Sequence, residues 1–141
     1  MTGIIVTGHG SFATGITSGI RLLAGDPQDY AAVDFLPEDS VDSLTGKLEA
    51  AVKKLENCDG IVIYADLTGG SPFNAAIRMK MEHPEKLEVI GGANLPAVMD
   101  CYMSRMAIES AAVLAENSLY AGRQAMVYFT PAADDEDDYE E

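Results

Sequence analysis

Residues 3–15 read GIIVTGHGSFATG: an apolar β-type run, Gly3–Thr7, leads straight into Gly8-His9-Gly10 and then into a helical pattern over Phe12–Ala24. A strand that breaks at a glycine-rich turn and restarts as a helix is the first half of a βαβ unit. The rest of the chain repeats that alternation. Further β-rich runs occupy Ala31–Phe35, Gly60–Asp66, Leu87–Gly91 and Ala125–Thr130. Between them, Val41, Leu44, Leu48, Val52 and Leu55 follow a 3-4-4-3 spacing that places one apolar stripe on a helix. Ser40 supplies its start and Asn57–Gly60 its stop. Ser71–Met81 opens with a Ser-Pro pair, Leu95–Met106 has Pro96 in its first turn, and Ile108–Gly122 completes the helices. The pattern predicts an α/β fold: a mostly parallel sheet with helices on both faces.

At 141 residues, nearly half of them apolar, the chain is long enough to build one hydrophobic core without disulfide or metal staples. Cys58 and Cys101, separated by 43 positions, form no metal-type pair and are expected to be buried thiols. No stretch approaches the roughly 18 uninterrupted apolar residues of a membrane span. The start, MTGIIVTGHGS, lacks a basic n-region and a long apolar h-region, so a cytoplasmic location is expected. Charge is unevenly distributed. The last eight residues, DDEDDYEE, contain seven acids and no base, half of the formal net charge of −14. This gives an expected division into a folded domain over 1–130 and an acidic disordered tail over 131–141. An acidic body argues against nucleic acid or anionic membranes as partners. Any bound phosphate would have to be held by local donors.

Parallel sheets place ligands beyond the carboxyl ends of their strands, where the strand order reverses. Three polar loops reach that edge: Gly8-His9-Gly10-Ser11, Asp66–Asn74 (DLTGGSPFN) and Gly91–Pro96 (GGANLP). His9 stands between two glycines that leave its ring uncrowded. Asp66 ends an apolar run and, on a neighbouring strand, could accept the proton of one ring nitrogen, leaving the other with an outward lone pair. The Gly-Gly-Ser-Pro start of the next helix offers unpaired amides from Gly69, Gly70, Ser71, Phe73 and Asn74, reinforced by the helix dipole, as an anion site without a lysine. Imidazole is a competent nucleophile near neutral pH, so these parts point to a histidine that carries a phosphoryl group. His83, in the charged loop MEHPEK, is expected to be inert. No carboxylate cluster accompanies a phosphate loop, so no metal or other cofactor is expected and a phosphoprotein donor fits better than ATP.

Rival readings use the same residues. Gly8-x-Gly10-x-x-Ala13 fits the relaxed dinucleotide fingerprint, with Asp34 at the distance of a ribose ligand, which would make a nucleotide-binding module. Ser11 or Ser71 with His9 and Asp66 could make a hydrolase triad, although GGSPF is not a nucleophile elbow. No G-x-x-x-x-G-K-[ST] occurs, which excludes P-loop chemistry.

GIIVTGHGSFATG, VDFLPEDS, DLTGGSPFNAA and EVIGGANLPAVMD, in that order over residues 1–130, resemble the enzyme IIA domain of the mannose family of the bacterial sugar phosphotransferase system. The resemblance implies that His9 accepts a phosphoryl group from the phosphocarrier protein HPr. The group then passes to a separate IIB component that phosphorylates a sugar entering through membrane permease subunits. It also implies that Asp66 pairs with the His9 ring, that the start of the Ser71 helix supplies phosphate contacts, and that Thr68 is an additional candidate contact. Family members form homodimers in which a carboxyl-terminal antiparallel edge strand is exchanged, and Ala125–Thr130 matches that strand. The phosphoryl-carrying subunit of dihydroxyacetone kinase is a similar sibling, but its third-strand loop looks more like DLGSA than DLTGGSPFN.

Overall fold

Ile4, Ile5 and Val6 are fully buried, which requires a strand covered on both faces. In the computed structural model, which describes residues 1–131, that strand is β1 (Gly3–His9). It pairs in parallel with β2 (Tyr30–Phe35) on one side and β3 (Ile61–Ala65) on the other, and β4 (Leu87–Ile90) adds in parallel to β3. The sheet order is therefore β2-β1-β3-β4, and the order reverses beside β1.

Because side chains alternate across a strand, Ile5 points to one face and Ile4 and Val6 to the other. On the first face Ile5, Val33, Ile61 and Ile63 pack with Leu44, Leu48 and Ala51 of α2 (Val41–Lys54) and Ala75, Ala76 and Met79 of α3 (Ser71–Glu82). The opposite face joins Ile4, Val6, Val62 and Tyr64 to α1 (Phe12–Ala24), α4 (Leu95–Ser104) and α5 (Ala111–Gln124), through Ala13, Ile20, Val98, Cys101 and Leu114. Of the α2 stripe that the spacing predicts, Leu44, Leu48 and Leu55 are buried and Val52 packs at its margin, while Val41 in the first turn is exposed and Ala51 joins the core instead. Ser40 starts that helix with a reciprocal cap, its hydroxyl accepting from the Ser43 N–H while the Ser43 hydroxyl accepts from the Ser40 N–H. Cys58 and Cys101 are buried free thiols, and burial pushes both above the usual thiol range. The Tyr64 hydroxyl, also pushed upward by burial, shares a 2.7 Å hydrogen bond with Ser118 that ties β3 to α5.

Several boundaries differ from expectation. Among the described residues, 126–130 form no strand: α5 runs on through Gln124, and the four-stranded sheet does not include the segment that follows. Met126, Val127, Tyr128 and Phe129 are exposed. A β-type sequence becomes a strand only where an edge accepts its backbone. Helix α5 starts at Ala111 rather than Ile108, because the Ser110 side chain caps the Val113 N–H while Ile108 packs from the loop. The N-cap of α3 is Gly70, and Ser71 is its first helical residue. The acidic tail lies outside the described residues. Among those residues, no helix is long and apolar enough to cross a membrane.

Helix α4 stops at Ser104, and the next residue is the sheet's lower anchor. Arg105 is only 5% exposed. Its guanidinium donates to the carbonyls of Thr2 at 2.9 Å and Asp29 at 3.0 Å, and also to that of Gln28. It stacks 4.6 Å from the Tyr102 ring centroid. One cation thus fastens the start of β1 and the loop before β2 to the end of α4. Arg105→Ala is expected to strand those carbonyls and lower stability by about 3 kcal/mol. Urea unfolding should report this as a lower midpoint with an unchanged slope.

Candidate functional site

The strand-order reversal puts the ends of β1 and β3 side by side, and with them His9 and Asp66. Gly8 allows this proximity: a Cβ there would fall 2.8 Å from the Asp66 carboxyl carbon and 2.6 Å from the Phe12 ring. Gly10, at φ 59°, turns the chain away so that its N–H donates to the Phe35 carbonyl at 2.7 Å. Asp66 then grips His9 twice. Its Oδ2 accepts the His9 backbone N–H at 2.9 Å and lies 3.0 Å from ring Nδ1, with Oδ1 at 3.3 Å. A carboxylate can only accept, so this pairing assigns the ring proton to Nδ1 and leaves the Nε2 lone pair unshared. The His9 side chain is 46% exposed and that of Asp66 16%, so the orienting group is sheltered while the ring it orients is open.

The α3 start lies against the same ring. A Cβ on Gly70 would sit 2.8 Å from His9 Cε1 and 3.4 Å from Nε2, so the bare glycine makes the space the imidazole occupies. Gly69, at φ 91°, forms the turn that aims the helix there. Of the five amides in the sequence-derived set, two are committed elsewhere. The Gly70 N–H donates to Leu67 O at 3.1 Å, and the Asn74 N–H donates to Gly70 O at 2.9 Å as the first helical bond. The Asn74 side chain also closes the turn, donating to Gly69 O at 3.1 Å. Gly69, Ser71 and Phe73 keep N–H groups with no acceptor among the described residues.

Thr68 is exposed on the rim and lies, with Phe73, against the third loop. Thr68 Oγ1 and the Phe73 ring cover Gly91, where a Cβ would meet them at 2.4 and 2.7 Å. Asn94 caps α4 through Ala97 N–H at 3.0 Å and donates to Gly122 O at 3.0 Å, locking α4 to α5. The third glycine-rich loop therefore buttresses the site through Thr68 and Phe73.

The dinucleotide reading fails on Asp34. Both of its carboxylate oxygens are engaged, one by the Thr14 N–H at 3.1 Å and the other by the Thr14 hydroxyl at 2.9 Å. Asp34 thus closes the α1 start, where the fingerprint would place a pyrophosphate, and is not extended toward a ribose. Of the two helix starts beside His9, α1 already holds a carboxylate and α3 does not. Neither Ser11 nor Ser71 hydrogen-bonds His9 among the described residues, so no triad is assembled. His83 ends α3 far along the chain from this rim, on an exposed turn. Sequence reasoning missed Phe35, whose ring meets that of His9 edge-on with centroids 5.8 Å apart. Its strand position was readable in VDFLPEDS, but its register against His9 was not.

Comparison with known proteins places the fold and the family. A family model, EIIA-man, described as the phosphotransferase system (PTS) fructose IIA component, matches residues 3–117. The chain belongs to the EIIA-man family. It is similar to the mannose-specific EIIAB component of Escherichia coli strain K12, 33% identical over 102 residues. That alignment covers 72% of this chain and 31% of the relative, so the chain spans about a third of that protein's length. The sorbose-specific EIIA component of Klebsiella pneumoniae is 31% identical over 100 residues, 71% of this chain and 72% of the relative. Among solved structures, a phosphotransferase system EIIA component from Streptococcus agalactiae superimposes with a TM-score of 0.85 at 28% identity, covering 92% of this chain and 98% of that one. A mannose/sorbose-specific IIA subunit from Enterococcus faecalis gives 0.82 at 27% identity, covering 92% and 95%. The parallel sheet flanked by five helices is the fold these EIIA-man relatives share.

Gly70 offers a selective test of this EIIA-man site. Its φ of −77° suits alanine, so Gly70→Ala carries no backbone strain and acts by pushing the His9 ring at Cε1. Stability is expected to change by less than about 0.5 kcal/mol. The His9 imidazole resonances in long-range proton–nitrogen NMR should nonetheless shift as the ring leaves Asp66.

Proposed function

We propose that this chain is a phosphoryl carrier of a sugar phosphotransferase system, working in the cytoplasm with His9 as the residue that carries the group. The observation that carries this reading is the Asp66 grip on Nδ1 beside a helix start with open amides. In the proposed step the Nε2 lone pair attacks the phosphorus of a phosphohistidine on HPr. The donor's P–N bond breaks, and its electron pair returns to the donor imidazole. Asp66 stabilises the positive charge that develops on the His9 ring, and the Gly69, Ser71 and Phe73 amides receive the phosphoryl oxygens with support from the α3 dipole. The same geometry in reverse passes the group to a separate IIB component, which serves sugar uptake through membrane permease subunits. The step needs no cofactor. The dihydroxyacetone kinase reading ranks below this one, since the relatives are sugar-system IIA components.

Incubation with enzyme I, HPr and labelled phosphoenolpyruvate tests the assignment. Label that is acid-labile and base-stable is expected on the wild type and on His83→Ala, and none on His9→Ala. Asp66→Asn should retain its fold while transfer falls by about 100-fold, since the amide can present the wrong group to Nδ1. Labelling of His9→Ala at the wild-type level would overturn the proposal.

We further propose that residues 125–130 pair as an antiparallel edge strand in a homodimer. The exposed run Met126–Phe129 follows α5, whose end lies beside Ile90 and Gly91 at the open β4 side of the sheet. Sedimentation should find the full chain dimeric, and a chain ending at Gln124 monomeric.

A further inference from the structure

His9 and Phe35 are register partners on neighbouring parallel strands, so their side chains leave the sheet on the same face, the one covered by α2 and α3. Their rings meet edge-on, centroids 5.8 Å apart and planes at 60°. The imidazole is therefore bounded on three sides: by Asp66 at Nδ1, by Gly70 at Cε1 and by the Phe35 ring. A hydrogen bond at one nitrogen fixes one edge of a ring but leaves it free to swing about that edge. The third contact removes that freedom.

Phe35 is itself firmly held. Its ring packs against the α2–α3 core, and its carbonyl accepts the Gly10 N–H at 2.7 Å. Both flanking residues are tied down as well: Asp34 to Thr14 at 2.9 Å, and the Leu36 N–H to Asp39 Oδ2 at 2.8 Å. Asp39 is in turn held by Lys47 at 2.7 Å, and that hydrogen bond is the main reason its carboxyl sits below the usual carboxylate range.

We propose that Phe35 is a positioning residue that acts through His9. Its ring holds the imidazole plane so that Nε2 faces the α3 start, and it keeps water from the phosphorus once the group is attached. The role rests on the phosphoryl-carrier reading above. The loss it suppresses is hydrolysis: a water oxygen attacks phosphorus, the P–N bond breaks, its electron pair returns to Nε2, and inorganic phosphate leaves. An apolar edge beside the ring denies that water a place to bind.

The test uses potassium phosphoramidate, a small donor whose own P–N bond breaks as ammonia leaves, so that labelling of His9 does not depend on HPr. The decay of phosphorylated His9 is then followed by phosphorus NMR in wild type, Phe35→Ala and Phe35→Leu. Phe35→Ala is expected to shorten the phosphohistidine lifetime and slow labelling, each by about tenfold. Phe35→Leu, which keeps the apolar bulk, should recover most of the lifetime but not the labelling rate, a split that a merely structural role would not produce. If Phe35→Ala misfolds, Phe35→Leu still gives the split. Equal lifetimes and labelling rates in folded variants would overturn the inference. Labelling by phosphoramidate without any labelling by phosphorylated HPr would overturn the carrier reading and leave the role of Phe35 standing.

Discussion

A single carboxylate organises the working edge of this molecule. Asp66 accepts both the backbone and the ring N–H of His9, so it fixes where the histidine stands as well as which nitrogen holds its proton. A carboxylate bound only to a ring would leave the loop free to drift, and one bound only to the backbone would leave the tautomer undecided. The double contact requires the two chain segments to run very close together, and that closeness accounts for Gly8. The parallel pairing of β1 with β3 supplies the approach, since the Asp66 N–H already continues the ladder by donating to Thr7 O at 3.2 Å.

The other groups around His9 follow from that constraint. Once the ring is directed by Asp66, the space beside it must be empty on the α3 side, which makes Gly70 a helix cap without a side chain and leaves the first amides of α3 uncapped, while the Asn74 side chain only closes the turn through the Gly69 carbonyl. The start of α1 is closed by Asp34 from the neighbouring strand. Two helix dipoles therefore point toward the rim, but only one remains available to a negative group. The choice between them is made by a residue that never touches the histidine.

Much of this was legible in the sequence, and the parts that were not share a physical cause. The four strands of the sheet, the α2 stripe with its Ser40 cap, and the convergence of His9, Asp66 and the Gly69–Asn74 turn all follow from local patterns: periodicity, caps, and chemistry at strand ends. The strand expected over 125–130 does not form among the described residues of one chain, because a strand is defined by the edge it pairs with and local sequence does not say which chain supplies that edge. Asp34 was misjudged for a related reason. Its distance along the chain suited a ribose ligand, but only the three-dimensional approach of Thr14 reveals that both its oxygens are already taken. Phe35 and Arg105 went unnoticed because one depends on register between strands and the other on which carbonyls lie under a helix end. Neither is written in any short window of sequence.

Among the described residues no cationic side chain hydrogen-bonds His9, which fits the proposed role; Asp66, Phe35 and Gly70 stand against it, and none carries positive charge. A carrier must release what it accepts. A lysine or arginine on the phosphoryl oxygens would deepen the charged intermediate by a charge-assisted hydrogen bond, about 1.5–3 kcal/mol each, and so slow the onward step by roughly ten- to a hundredfold. Backbone amides and a helix end hold an anion more weakly, and they do so in fixed positions that need no reorganisation as the group arrives or leaves. The acidic composition of the chain acts in the same direction, lowering the affinity of the whole surface for phosphate, so that in the proposed role the three open amides would supply it at one point. On this view the selectivity of the site lies in geometry, and its reversibility lies in the charge that was left out.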